Sequence, residues 1–397
     1  MVETLIPSES QPRDAALESH CLRVGAVANL IAHHLFLPTE EKNLLHAASQ
    51  LLHRRIDGGA RAEVRGVLAA FGKSGLGNPL QRQLGAILRL CDALDREFQA
   101  QPFQQKETGE ILAGLRRGVD QGLWPRTLLD ALEECTRPQV LPEPSSWRVP
   151  VFPQAAMQTL NTLRDPVASI PHVVEAARRD PATAGAIIRL ANSALYADLE
   201  EASSLQVAVA RLGFDTARKV VASLAMRPLL FLPKLETLWP HSIEVADLAE
   251  QLAARAKGID AGEAYLAGLL HDVGRIALIA SSLYDAARLQ GLIQSGCPAV
   301  YAEDLILRTD HAVIGGLIAA KWRLPGHLVR AIRQHHRPET ATTPLAHLLY
   351  LAEHLAGSME DLPSPLRLEQ ALEGAGLAAA DLDRCARSEL GTWLAAA

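Results

Sequence analysis

Apolar positions along this chain recur at spacings of three and four residues, and alternating runs are nearly absent. Ile187, Ile188, Leu190, Ala191 and Leu195 form one such stripe, and Asp180-Pro181 before it reads as an N-cap followed by the first helical position. Ser204 is placed to cap a helix over 205–212 that stops at Gly213. Asp215 is placed to cap the next helix, to about Leu230. Asp57-Gly58 is followed by Gly59 and Ala60 and not by a strand, so it predicts no hairpin. Short helices joined by short loops predict an all-α chain built as compact bundles.

One stretch interrupts the pattern. Residues 137–153 read RPQVLPEPSSWRVPVFP, and proline both fixes φ and removes a donor, which predicts a linker. The chain then divides into a front bundle over 1–136, the linker, a back bundle over 154–357 and a helical tail over 358–397. A length of 397 residues suits two domains. Hydrophobic residues make up 48% and aromatic ones only 4%, so the core material is Leu, Ala, Val and Ile, which favours helices.

The net charge of −6 argues against a nucleic-acid partner. The polar, acidic start is no secretory signal, and Val220–Met226 is far too short to cross a membrane, so neither export nor a membrane partner is expected and the location is read as cytoplasmic. Cys21, Cys91, Cys135, Cys297 and Cys385 form no C-x-x-C pair and are read as reduced thiols.

The chemistry lies in an internal repeat. The front half has His20 opening HCLRVGAVANLIA, His53 closing AASQLLH, and Asp92 in LCDAL. The back half has His241 opening HSIEVADLAEQLA, His271 closing LAGLLH, and Glu353 in LAEHL. The gaps between the paired histidines are 33 and 30 residues. The two halves are expected to superpose, with His20 over His241, His53 over His271 and Asp92 over Glu353. In the back half Asp272 follows His271, Gly274 is expected to permit a backbone turn, and His311 and the His335-His336 doublet come later. His241, His271, Asp272, His311, His335 and Glu353 form a ligand set for one or two divalent ions that would activate water against a phosphodiester. Other histidines, such as His46, His172, His327 and His347, are read as ordinary core or surface residues, and Arg54 and Arg275 as solvated or capping charges.

The order His, His-Asp, His, His-His, acid resembles the HD superfamily of metal-dependent phosphohydrolases. Residues 150 to about 357 resemble the HDOD domain, the HD-related output domain of bacterial signalling proteins. The matching segments include Arg189–Tyr196, Ala208–Gly213, Trp239–Ser242, Ala267–Arg275, Asp310–Gly315, Trp322–Pro325 and Ile332–His336. The front half is similar to a reduced HD-GYP domain, the class that hydrolyses cyclic di-GMP. It has Arg54 in place of the HD aspartate, no histidine between His53 and Asp92, and no GYP segment, so His20, His53 and Asp92 are read as a vestigial site.

In the back half Arg275 stands where the hydrolases carry lysine, and Glu353 where they carry aspartate. The resemblance implies a regulatory protein that binds a signalling partner or ligand without catalysis. It also implies a divalent transition metal (Fe or Mn) as possible cofactor and a possible homodimer. The alternative it leaves open is a nucleotide or cyclic dinucleotide phosphodiesterase using His241, His271 and Asp272.

Overall fold

A computed structural model of the chain describes residues 12–53, 62–73, 75–99, 108–137, 169–178, 181–196, 202–230, 237–280, 286–294, 297–357, 365–386 and 388–396. Every regular element among them is helical. The proline-rich linker, apart from Arg137, lies outside the described residues, as does Arg54.

The front bundle consists of α1 (Pro12–His34), α2 (Thr39–Ser49), α3 (Ala62–Gly72), α4 (Pro79–Gln99), α5 (Thr108–Asp120) and α6 (Arg126–Cys135). Cys21, Val24, Ile31, Leu84, Ile87, Leu88 and Leu132 recur at helical spacing and are buried between α1, α4 and α6. The described residues then continue with α7 (Ile170–Arg178), α8 (Pro181–Ala191), α9 (Leu205–Leu212) and α10 (Phe214–Leu230). The Asn192 side chain brackets the turn after α8: its Oδ1 accepts from Ala202 N at 2.7 Å and its Nδ2 donates to Ala202 O at 3.1 Å. Ser204 caps α9 as predicted, accepting from Val207 N. Asp215 does not cap α10: it sits inside the first turn, where its charge still favours the helix N-terminus.

The back bundle is α11 (Leu238–Ala253), α12 (Ala261–Leu270), α13 (Val273–Ala280), α14 (Ala286–Gln294), α15 (Ala299–Leu307), α16 (His311–Lys321), α17 (Gly326–Gln334) and α18 (Pro344–Ala356). α11 is its central rod, packed on α12 and α18. A Cβ on Gly268 would lie 2.6 Å from Ala246 Cα, so glycine lets α12 approach α11 at backbone distance. The helices after 358 fold back as α19 (Pro365–Ala375), α20 (Ala379–Leu382) and α21 (Glu389–Ala396). α21 lies across α11, where Trp239 Nε1 donates to Leu394 O at 3.1 Å and Ser388 N donates to Asp247 Oδ2 at 2.9 Å.

The two bundles touch. Arg288 of α14 donates to the carbonyls of Glu134 and Cys135 at the end of α6, satisfying groups that a helix C-terminus leaves open. The Arg23 guanidinium of α1 lies 5.7 Å from the centre of the Tyr301 ring of α15. All five cysteines are free thiols, four of them buried.

Candidate metal centre

The back-half candidates sit mainly at helix ends, where consecutive side chains can turn toward one point. His241 lies in the first turn of α11. His271 and Asp272 form the junction between α12 and α13. His311 opens α16, and His335 and His336 follow α17. Glu353 comes from the body of α18. The structure brings all six predicted residues together. His241 Nε2 and His271 Nε2 lie 3.2 and 3.1 Å from Glu353 Oε2, and His311 Nε2 lies 3.0 Å from Asp272 Oδ1. Asp272 Oδ2 faces the other side, 3.6 Å from His271 Nε2 and 3.9 Å from His241 Nε2.

Two groups of donor atoms result, each within 4.8 Å mutually: Asp272 with His311, His335 and His336, and Asp272 with His241 and His271. Asp272 belongs to both. The cluster is buried, with His271, His311 and His335 at 0% exposure, and only the His241 side chain opens appreciably, at 18%.

The ring tautomers follow from what each Nδ1 meets. His271 Nδ1 is 2.6 Å from Gly268 O, and His335 Nδ1 is 2.7 Å from Ile332 O. A carbonyl only accepts, so both rings carry a proton on Nδ1 and turn Nε2 toward the cluster. His335 Nε2 is buried and has no hydrogen-bond partner, and both Asp272 oxygens are buried without a well-aligned donor. Imidazole and carboxylate donors that converge in this way, with their outer nitrogens tied back, suit a divalent transition ion.

The charges agree. Burial alone would raise the Asp272 carboxyl, but Arg275, His271 and His311 outweigh it and hold it well below the usual range. Burial likewise opposes ionisation of Glu353, and His241 and His271 overcome it. Burial pushes His335 down to about 3, with the neighbouring His271 and His311 adding to the effect, so it stays a neutral donor.

Two expectations need correction. Gly274 is not there to let the chain turn: a Cβ would lie 1.9 Å from His311 O, so glycine is needed where α13 meets the start of α16. Arg275 is neither a cap nor a solvated charge, because its Nε lies 3.0 Å from Asp272 Oδ2. Two further residues join the site. His336 Nε2 lies 2.9 Å from His311 Nε2, and the His335-His336 doublet was its signal. Glu303 Oε2 accepts from His311 Nδ1 at 2.7 Å and from His311 N at 2.8 Å. Its signal was an acid within the apolar run of α15, where it is 3% exposed.

The front cluster has matching geometry. His20 Nε2 and His53 Nε2 lie 3.0 and 2.9 Å from Asp92 Oδ1, and the rings are 5.3 Å apart, against 5.2 Å for His241 and His271. His20 also places Nδ1 2.7 Å from Asp95 Oδ2. Burial works against a charged His20, but its bonds to Asp92 and Asp95 raise it to about 9, so both ring nitrogens donate. Arg96 pairs with Asp92 Oδ2 at 2.6 Å, and Arg23 pairs with Asp95 at 2.7 and 3.1 Å. Each carboxylate oxygen here faces a basic side chain; in the back cluster burial likewise works against charged His271 and His311, and the carboxylates of Asp272, Glu353 and Glu303 outweigh it and raise both.

Comparison with known proteins agrees with this architecture. Residues 149–338 match the family model of the HDOD domain. A crystal structure of an HDOD domain protein of unknown function from Geobacter sulfurreducens superposes with a TM-score of 0.51 at 24% identity, covering 60% of this chain and 89% of that one. A proposed signal transduction protein from Marinobacter aquaeolei gives 0.53 at 22% identity, covering 67% and 64%. Both show the fold.

Among curated proteins, an uncharacterized protein of Treponema pallidum is 24% identical over 195 residues, covering 47% of this chain and 37% of that protein. Ribonuclease Y of Syntrophotalea carbinolica is 32% identical over 150 residues, covering 36% and 24%. The chain thus spans little more than a third, or less, of the length of these curated relatives. The match to the HDOD family model over residues 149–338 takes in every residue of the back cluster except Glu353.

Proposed function

We propose that this protein is a regulatory, signal-transducing protein whose HDOD domain holds a divalent transition metal and which works by binding a partner, without useful catalysis. Burial carries this reading. A phosphodiester must reach the ion, yet all the candidate ligands except His241 are at most 6% exposed in their side chains or as whole residues. One or two ions held by residues of the set His241, His271, Asp272, His311, His335, His336 and Glu353 would supply fixed positive charge that ties four helix-end segments and α18 together.

The front bundle, on this reading, is a degenerate HD-like module in which the His20 imidazolium, Arg23 and Arg96 neutralise the carboxylates that a metal would otherwise bind. The partner is expected to be a signalling protein, with neither nucleic acid nor membrane involved.

A second reading is favoured by one observation: Asp272 belongs to two donor groups, as a carboxylate bridging two ions would. It makes the protein a metal-dependent phosphohydrolase, and the partial likeness to a ribonuclease keeps nucleotide substrates in view. Elemental analysis of the purified chain tests metal binding. Assays of the Mn²⁺- or Fe²⁺-loaded protein against cyclic di-GMP, cyclic mononucleotides and short RNA then separate the readings. Multiple turnover that disappears in Asp272→Ala overturns the non-catalytic one.

A further inference from the structure

Helix α15 stands between the front charge cluster and the metal centre. Tyr301 points to the front bundle, under the Arg23 guanidinium at 5.7 Å from the ring centre. Arg23 is bonded in turn to Asp95, which also holds His20. Burial raises the Tyr301 hydroxyl well above its ordinary value, and the nearby Asp95 carboxylate adds to this, which places that hydroxyl in the field of the front network.

Two positions on, about 200° around the helix, Glu303 points the other way, into the metal centre. One of its oxygens receives both the Nδ1–H and the backbone N–H of His311. This double contact fixes the ring's tautomer, its rotation and the start of α16 at once. Asp304, the next residue on α15, is held as well: Arg337, next to His336, lies 3.1 Å from it and also pairs with Asp310, the N-cap of α16. A shift of α15 therefore moves Glu303, and with it the direction of His311 Nε2.

We propose that Glu303 is the positioning residue of the metal centre, and that the front bundle sets its placement through Arg23, Tyr301 and helix α15. This rests on the metal-binding reading above. It gives the front bundle a task that needs no metal of its own: its ion-paired cluster is a rigid anchor for the helix that aims His311. Linkage makes the coupling reciprocal, so metal uptake must also tighten the contact between the bundles.

The test uses the full chain and Co²⁺ as the probe, in wild type, Glu303→Gln, Tyr301→Phe and the double variant, each confirmed folded by circular dichroism. Glu303→Gln is expected to weaken Co²⁺ binding about 10- to 100-fold and to change the visible d–d spectrum, a readout that general loss of stability does not move. Tyr301→Phe is expected to weaken binding about 2- to 30-fold. In the Glu303→Gln background its effect should vanish, because it acts through Glu303. Hydrogen exchange across 12–34 should slow on adding Co²⁺ to wild type and not to Glu303→Gln.

If Gln at this buried position unfolds the domain, Glu303→Asp, which shortens the stem and keeps the charge, takes its place with the same expectations. Wild-type affinity and spectrum in the Glu303 variant overturn the proposal while leaving the metal reading intact. So does a Tyr301→Phe effect that is absent, or equal in both backgrounds. A wild-type chain that takes up no Co²⁺ overturns both.

Discussion

The protonated His20 makes the front bundle pH-sensitive in a window the structure specifies. Its pKa is raised from 6.5 to about 9 because both ring nitrogens donate to buried carboxylates, Asp92 and Asp95. At about 1.4 kcal/mol for each tenfold change in proton affinity, this corresponds to about 3 kcal/mol of stabilisation, an upper figure since the ring is part-exposed. A raised folded-state value means that the stabilisation is complete below about pH 6.5 and is lost as the pH rises through about 9. The perturbation is His20→Gln, which keeps a polar side chain and cannot take up a proton.

Peptides across 12–34 and 79–99, followed by hydrogen exchange and corrected for intrinsic rates, report on this bundle apart from the histidines of the metal centre. Wild type should lose about 2–3 kcal/mol of protection between pH 6.5 and 9.5. His20→Gln should be weaker by a similar amount at pH 6.5 and nearly flat across the window. Equal slopes in the two proteins, or an NMR titration of His20 with its midpoint near 6.5, would refute the reasoning.

Three other outcomes are expected. Gly274→Ala should destabilise the back bundle by about 1–3 kcal/mol or more in urea unfolding, because its Cβ meets His311 O at 1.9 Å and Gly315 N at 2.7 Å; an unchanged midpoint contradicts this. Asp272→Ala should lower the bound metal measured by elemental analysis, while His53→Ala should not; equal losses would mean that the front cluster also holds an ion. Trp239→Phe should cost about 1 kcal/mol in a thermal melt by removing the bond to Leu394 O, and a wild-type melting temperature would show that α21 contributes little there.

The sequence by itself determined the helical class, since apolar spacing of three and four residues can bury a face only as a helix. It also determined the order of the site. His241, His271, Asp272, His311, His335 and Glu353 were all readable because imidazoles and acids are costly in apolar helices and therefore stand out. The anchors His20, His53 and Asp92 were readable for the same reason, and the structure does bring them together.

Tertiary structure decided what those residues meet. Glu303 and His311 are eight positions apart, but their contact exists only because α16 starts against the side of α15. Asp95 and Arg23 are separated by 72 residues, and only the packing of α1 on α4 sets their ion pair beside the front histidines. Local pattern cannot tell a lone pair aimed at an ion from one already holding a proton. That difference depends on which charges long-range packing brings within about 3 Å.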